Sequence, residues 1–351
     1  MPKTAKNLWP SVTTFENLLA AWKLARRGKR RSLSAVRFWG NLEENLFGIQ
    51  EQLVNHWWKP SPWREFVVRE PKLRLIQAPY FGDRVVHHAL MRIAEPVFER
   101  RFIDDSFACR KGKGTHAASR RTTDFLRRAT TAWGSPYILK ADISKFFPSI
   151  SHTILMHRLD RLFGDPDVMW LFERIVMHNG FNGRGVPIGA LTSQWLANLF
   201  LDALDHFVKD DLGIKYYLRY MDDFVVVGPN KAWCATALGQ IERFVNMCDL
   251  RLNPKTAIYP ASHGVDFVGY RHWTDHTLPR KRTMKRARRL FKSLVARYNR
   301  GEIDLDYVRP RIASFAGYVQ HCDAYRSAGS LFDSVILSGS SHRQGASQAR
   351  G

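Results

Sequence analysis

The sequence is poor in cysteine, in acidic residues and in long apolar runs. Its four cysteines, Cys109, Cys234, Cys248 and Cys322, are scattered and form no Cys-X-X-Cys pair. That spacing offers neither a zinc site nor a disulfide framework and fits reduced thiols in a cytoplasmic protein. No stretch reaches the roughly 18 consecutive apolar residues that a membrane span requires. The opening segment, MPKTAKNLWPSVTTF, lacks the apolar centre of a signal peptide. No internal repeat is present. Acidic residues number 32 against 54 Lys and Arg, a net charge of +22 over 351 residues. Such an excess costs self-repulsion, and a large polyanion is the partner that relieves it. Nucleic acid is the first candidate, and an anionic membrane surface is the second and weaker one.

Composition is otherwise that of a globular protein, with 45% apolar and 25% charged residues. The length exceeds one compact core and points to two or three lobes. Residues 14–57 read as helices. One apolar face holds Leu18, Leu19, Trp22, Leu24 and Ala25, and another holds Val36, Leu42, Leu46, Ile49 and Leu53. Between them seven bases, Lys23, Arg26, Arg27, Lys29, Arg30, Arg31 and Arg37, stand without an acid. They form either a solvated loop or a phosphate contact. Residues 65–78 read as a β-hairpin turning at Glu70-Pro71, with Lys72 and Arg74 on one face and Leu73 and Leu75 on the other.

Further along, helices are expected over 83–101, 191–209 and 231–248. The 191–209 helix would bury Leu196, Leu199, Phe200, Ala203, Leu204 and Phe207. A strand is expected over 137–143, a hairpin over 215–228 and a short strand pair around 256–272. Segment 280–300 carries ten bases and no acid, and Met284, Ala287, Phe291, Leu294 and Tyr298 recur at helical spacing. It reads as an amphipathic helix whose basic face is either solvated or bound to a polyanion. From Ser338 onward the chain is low in apolar residues and reads as disordered.

The chemistry concentrates in Tyr220-Met221-Asp222-Asp223, between two strand-forming runs. A lone Asp-Asp at a hairpin tip is ordinarily turn chemistry. Here the flanking strands are apolar on both sides, and a second strand, YILKADI, also ends in an acid, Asp142. If Asp142 and Asp222 meet, two carboxylates about 4 Å apart repel by about 4 kcal/mol at an effective dielectric of 20. Divalent cations reverse that penalty, because Mg²⁺ is held by one or two carboxylates together with substrate phosphates. Two such ions would activate a 3′-hydroxyl and stabilise a leaving pyrophosphate, which is nucleotidyl transfer.

These motifs resemble those of reverse transcriptases over about residues 64–325. KADISKFFPSI (140–150) resembles the first palm motif and the Tyr-Met-Asp-Asp run the second. GVPIGALTSQWLANLFLDALDHF (185–207) resembles the motif between them, and LNPKT (252–256) and VDFVGY (265–270) resemble two that follow. DRVVHHAL (83–90) and SFACRKGKGTHAA (106–118) resemble fingers segments of the bacterial enzymes. Relatives from group II introns and retrons usually carry Pro-Gln-Gly in the central motif. Here Pro187-Ile188-Gly189 is followed by Leu191-Thr192-Ser193-Gln194, features of the enzymes of diversity-generating retroelements. No maturase-like or endonuclease extension is expected, and no Val-Thr-Gly of retron type stands near the C-terminus.

The resemblance implies an α+β right hand. Fingers would span 1–136, with 155–188 returning to the fingers–palm junction. The palm would span 137–275 and a helical thumb 276–337. It implies a bacterial or phage-encoded enzyme that copies a template RNA into cDNA from dNTPs, with errors at template adenines. It also implies a small basic ring-forming accessory protein. The alternatives are a defence-type, abortive-infection polymerase and a non-catalytic RNA-binding scaffold.

Asp142, Asp222 and Asp223 would hold two Mg²⁺ ions, replaceable by Mn²⁺, with the Ile143 backbone carbonyl completing a shell. By family position Phe147 would exclude ribonucleotides, with Phe146 as the alternative outward ring. Lys72 and Arg74 would grip the triphosphate. Ile188, Gly189 and Gln194 would lie beside the nascent pair, and Lys255 would protonate pyrophosphate. Gly269 and Tyr270 would hold the primer end. Arg280, Lys281, Arg282, Lys285, Arg286, Arg288, Arg289 and Lys292 would track the template–primer backbone. His87, His88 and His116 lack metal-ligand spacing and read as hydrogen-bonding or RNA-contacting groups.

Overall fold

A computed structural model of the chain describes residues 4–69, 73–178, 180 and 182–338. The chain opens with four helices, α1 (Trp9–Thr13), α2 (Phe15–Ala25), α3 (Leu33–Gly40) and α4 (Leu42–Val54). Thr14 caps α2 by accepting from Asn17 N at 3.2 Å. The sequence reading placed Val36 on one apolar face with Leu42, Leu46, Ile49 and Leu53. The helix instead breaks at Gly40-Asn41, and Val36 stays 46% exposed.

A hairpin of β1 (Arg64–Val68) and β2 (Arg74–Ala78) follows, with Val68 opposite Arg74. All of β1 is exposed, and Leu75 on β2 is exposed too, so neither face has a core beneath it. The expected turn at Glu70-Pro71 and the expected phosphate contact Lys72 lie outside the described residues. Next come α5 (Phe81–Arg101), α6 (Thr115–Trp133), β3 (Tyr137–Asp142), α7 (Phe146–Ser149), α8 (His152–Asp160) and α9 (Pro166–Met177). Asp165 caps α9 and also accepts from Leu8 N at 2.6 Å and Trp9 N at 3.0 Å, which ties the N-terminus to this region.

The helix α10 (Leu191–His206) is deeply buried and passes into a π-turn over Phe207–Asp211. Its buried side is wider than its apolar residues suggest and includes Asn198, Asp202 and Asp205, whereas Ala203 and Phe207 are only half-buried. The strands β4 (Tyr217–Tyr220) and β5 (Asp223–Gly228) form the expected hairpin, and α11 (Lys231–Met247) follows. The expected strand pair around 256–272 resolves differently. One strand, β6 (Ala257–Pro260), joins the outer edge of the main sheet. The others, β7 (Val265–Phe267) and β8 (Tyr270–His272), pair with β9 (Thr277–Pro279) in a separate sheet. Three helices close the described chain: α12 (Lys281–Asn299), α13 (Leu305–Val319) and α14 (Tyr325–Asp333). The low-complexity tail, beyond Ser338, lies outside the described residues.

The main sheet has the order β4-β5-β3-β6 and is antiparallel throughout. Side chains alternate across a strand, and the alternation sorts this sheet cleanly. Leu139, Ala141, Tyr217, Phe224 and Val226 enter the large core, which also holds α5, α10 and α11. Ile138, Leu218, Val225 and Val227 enter a second core with Phe125, Leu126 and Ala129 of α6. Asp142 and Lys140 share the parity of Ile138, and Asp223 shares that of Val225. All three therefore belong to the second face. A third, small core joins Ala287 and Phe291 of α12 to Phe315 and Leu331 of α13 and α14.

Candidate active site

The register of β3 and β5 sets Asp142 opposite Asp223, with Asp222 one residue earlier in the β4–β5 turn. Backbone bonds close the arrangement: Ile143 N donates to Asp222 O at 3.1 Å. The turn is strained, since Met221 takes φ = 57°, a region that costs a non-glycine residue about 1–2 kcal/mol. The structure thus brings together all three acids singled out in the sequence.

Their electrostatics follow from that crowding. Burial lifts the Asp222 carboxyl above the ordinary range. The neighbouring Asp142 carboxyl lifts it further, while Arg74 opposes the shift. Burial pushes Asp223 up to about 6, with Lys140 opposing and Asp142 adding to it. The Oδ2 atom of Asp223 lies 3.4 Å from Lys140 Nζ. Its Oδ1 is buried with no hydrogen-bond partner. An orphaned carboxylate oxygen beside two carboxyls that repel is a donor set short of a cation. Among the described residues no three His, Cys, Asp or Glu side chains form a closed ligand cluster. The open set instead fits an ion that keeps water and substrate oxygens in its shell.

Two residues that sequence reasoning passed over act on this centre. Asn253 donates to Asp142 twice, from its backbone N to the carbonyl at 2.7 Å and from Nδ2 to Oδ2 at 3.1 Å. Lys140 bridges the Asp223 carboxyl and the Asp266 carbonyl in β7. Its signal in the sequence was its spacing of two from Asp142, which puts both on one face of β3. Asn253 lay inside the LNPKT run (252–256), but nothing there told that it would reach Asp142, because it arrives through a loop.

The remaining candidates are arranged as follows. Phe146 is buried and Phe147 half-buried, so Phe147 is the outward ring of the pair. Arg74 is exposed and close enough to Asp222 to favour its charge. Ile188 is half-buried, and its carbonyl accepts from Gln77 N at 2.9 Å, joining the hairpin to the loop before α10. Gly189 holds φ = 138°, and a Cβ there would lie 2.8 Å from Gln77 O. Gln194 is exposed in the first turn of α10. Lys255 is exposed, and its N–H donates to Asn253 Oδ1 at 3.0 Å.

Two nucleic-acid candidates need correction. Tyr270 is 1% exposed, stacked on Tyr318 at 4.8 Å, and donates its hydroxyl to Tyr318 O. Its ring fills the joint between β8 and α13 and is not presented to a primer. Arg280 is engaged by Asp266 in an ion pair at the start of α12. Gly269 remains in a turn at φ = 96°. Lys281, Arg282, Lys285, Arg286, Arg288, Arg289 and Lys292 are exposed along α12, opposite its apolar stripe. Of the histidines, His87 is buried with Nδ1 2.8 Å from Thr192 Oγ1, and burial lowers it to about 3.

Known proteins share this architecture. The family model described as reverse transcriptase (RNA-dependent DNA polymerase) matches residues 60–272. Protein YkfC of Escherichia coli (strain K12) is 24% identical over 266 residues, covering 64% of this chain and 70% of that protein. Group II intron-encoded protein LtrA of Lactococcus lactis subsp. cremoris is 25% identical over 181 residues, covering 48% of this chain but only 29% of its own length. Among solved structures, apo telomerase from Candida tropicalis aligns with a TM-score of 0.53 at 10% identity, covering 79% of this chain and 59% of that one. A form of the same apo telomerase truncated from its C-terminal domain aligns at 0.50 and 12% identity, covering 63% and 56%. At such identities the likeness is one of fold.

Proposed function

The chain belongs to the reverse transcriptase (RNA-dependent DNA polymerase) family, and from that premise we propose that it copies an RNA template into DNA at Asp142, Asp222 and Asp223. The carrying observation is the convergence of Asp142, at the end of β3, with Asp222 and Asp223 of the β4–β5 hairpin, two segments far apart in sequence. An Asp222 carboxyl whose ionisation is made costlier by burial and by the neighbouring Asp142, beside an orphaned Asp223 oxygen, suits a pair of magnesium ions. When bound, such ions would activate the primer 3′-hydroxyl and stabilise the leaving pyrophosphate.

The chain's own groups supply the rest. Asn253 fixes the Asp142 carboxylate, and Lys140 restrains Asp223. Arg74, on a hairpin fastened to Ile188, faces the centre and suits bidentate contact with the incoming triphosphate. The half-buried Phe147 ring would crowd a ribose 2′-hydroxyl and favour dNTPs. Lys255, whose N–H is tied to Asn253, would protonate the leaving pyrophosphate. Fingers over 1–136, palm over 137–275 and thumb over 276–337 divide the right hand. The basic face of α12 would follow the template–primer backbone. Ile188 in place of the usual Gln supports the diversity-generating reading, with errors at template adenines and a small basic accessory protein as partner.

Primer extension on an RNA template tests the proposal. Asp222→Ala should abolish synthesis while leaving RNA affinity within about twofold, because only a site ligand is lost. Retained synthesis would overturn the site. Equal extension without template would favour an untemplated defence polymerase. RNA binding with no synthesis by the unaltered protein would favour a scaffold.

A further inference from the structure

Arg219 is the largest fully buried side chain in the described protein, and every N–H of its guanidinium has an acceptor. Nε donates to Asp205 Oδ1 at 2.7 Å and Nη2 to Asp205 Oδ2 at 2.5 Å. The second hydrogen of Nη2 goes to Ser106 Oγ at 3.1 Å. Nη1 donates to Asn198 Oδ1 at 3.1 Å and to the Met221 carbonyl at 2.9 Å. Five donors thus meet five acceptors. Asn198 and Asp205 come from one face of α10, Ser106 from the segment after α5, and Met221 from the β4–β5 turn. The backbone of Arg219 is held as well, donating to Asp105 O at 2.9 Å and accepting from Phe107 N at 3.0 Å.

A buried ion pair is a poor way to gain stability, since well-packed apolar side chains of similar volume often do as well. What an apolar side chain cannot do is hold a carbonyl. The Met221 carbonyl precedes Asp222 in a turn whose backbone is strained at φ = 57°. The next carbonyl, that of Asp222, is held by Ile143 N at 3.1 Å. The two peptide groups flanking Asp222 are therefore both pinned, one from beneath by Arg219 and one from β3. Together they fix the direction in which the Asp222 side chain leaves the turn.

We propose that Arg219 is a positioning residue for nucleotidyl transfer: its buried clamp on the Met221 carbonyl aims the Asp222 carboxylate at Asp142. Asp205 holds the guanidinium level, while Asn198 and Ser106 fix its rotation. The stretch Ser106–Ala108 is then a buttress of the catalytic turn, reached through Ser106 Oγ and through the bond from Asn198 Nδ2 to Ala108 O at 2.8 Å. This inference rests on the polymerase reading of the site.

The test compares the unaltered protein with Arg219→Lys, which keeps the charge but cannot span all four partners. Expected is a fall in kcat of about 100-fold, the scale of a 1 Å misplacement. KM for dNTP and affinity for template–primer should stay within about twofold, since uniform binding is untouched. Mn²⁺ affinity, read by electron paramagnetic resonance without turnover, should weaken in parallel with kcat. A folded Arg219→Lys with unchanged kcat and unchanged Mn²⁺ affinity, losing only melting temperature, would overturn the proposal. Should Arg219→Lys fail to fold, Asn198→Ala and Ser106→Ala each remove one acceptor and leave the Asp205 pair. A drop of about tenfold in kcat is expected from each, and no drop in either overturns the clamp. If the unaltered protein makes no DNA on RNA, the polymerase reading fails, and the Mn²⁺ comparison alone decides the clamp.

Discussion

At the scale of single residues, Asp223 links the site to solution conditions. Its carboxyl titrates near 6 in the folded chain against an ordinary 3.8. Protonated Asp223 therefore favours folding, a contribution complete below the ordinary value and lost as pH rises through about 6. A divalent ion held by Asp223 would bind the ionised form and restore what is lost. Millimolar magnesium should then raise the melting temperature little at about pH 5 and clearly at about pH 7.5. An equal shift at both pH values would separate Asp223 from the metal. Ile188 carries a second prediction. A Gln side chain there regains a polar contact worth about 1 kcal/mol, enough to tighten pairing several-fold. Ile188→Gln should lower misincorporation on an adenine-rich RNA, and identical error spectra in sequenced cDNA would refute the idea. The acids of this site were legible because strand ends and a hairpin tip announce themselves locally. Asn253 was not, because its grip on Asp142 depends on where a distant loop returns.

At the scale of elements, the β1–β2 hairpin is the piece with least support beneath it. Both strands are largely exposed, and its described attachment near the site is the bond from Gln77 N to Ile188 O. Gly189 makes that approach possible, with φ = 138° and no room for a Cβ against Gln77 O. Gly189→Ala should add about 1–3 kcal/mol of local strain and push the hairpin, with Arg74, off its seat. Steady-state kinetics should show KM for dNTP rising about tenfold or more while template affinity holds. An unchanged KM would mean that the hairpin does not deliver the nucleotide contact. Alternation in the sequence identified this hairpin and left open what lies beneath it. A period of two tells which residues share a face, and says nothing of whether a core lies under it.

At the scale of the whole molecule, charge dominates. The chain carries a net +22, and seven bases stand exposed along α12 while Ala287, Phe291 and Leu294 bury the opposite side. Affinity for an RNA–DNA hybrid should fall steeply and log-linearly with salt, by about 10³-fold or more between 50 and 200 mM if six or more phosphates are engaged. Replacing Lys285, Arg288, Arg289 and Lys292 with Gln should flatten that slope. A slope independent of these residues would move the interface elsewhere.

The amino-acid order by itself determined the α+β class, the family, the alternating strands of the main sheet, the basic stripe of α12 and the three acids. The class, strands, stripe and acids are written in spacing along short stretches of chain, where local geometry fixes which side chains share a face, and the family in the resemblance of whole motifs. Tertiary structure alone decided that Arg219 would commit all five of its donors beneath the β4–β5 turn. It also decided that Tyr270 would be buried in a joint and that β6 would leave its neighbours to complete the main sheet. These outcomes depend on contacts between residues dozens of positions apart, and no local period encodes such meetings.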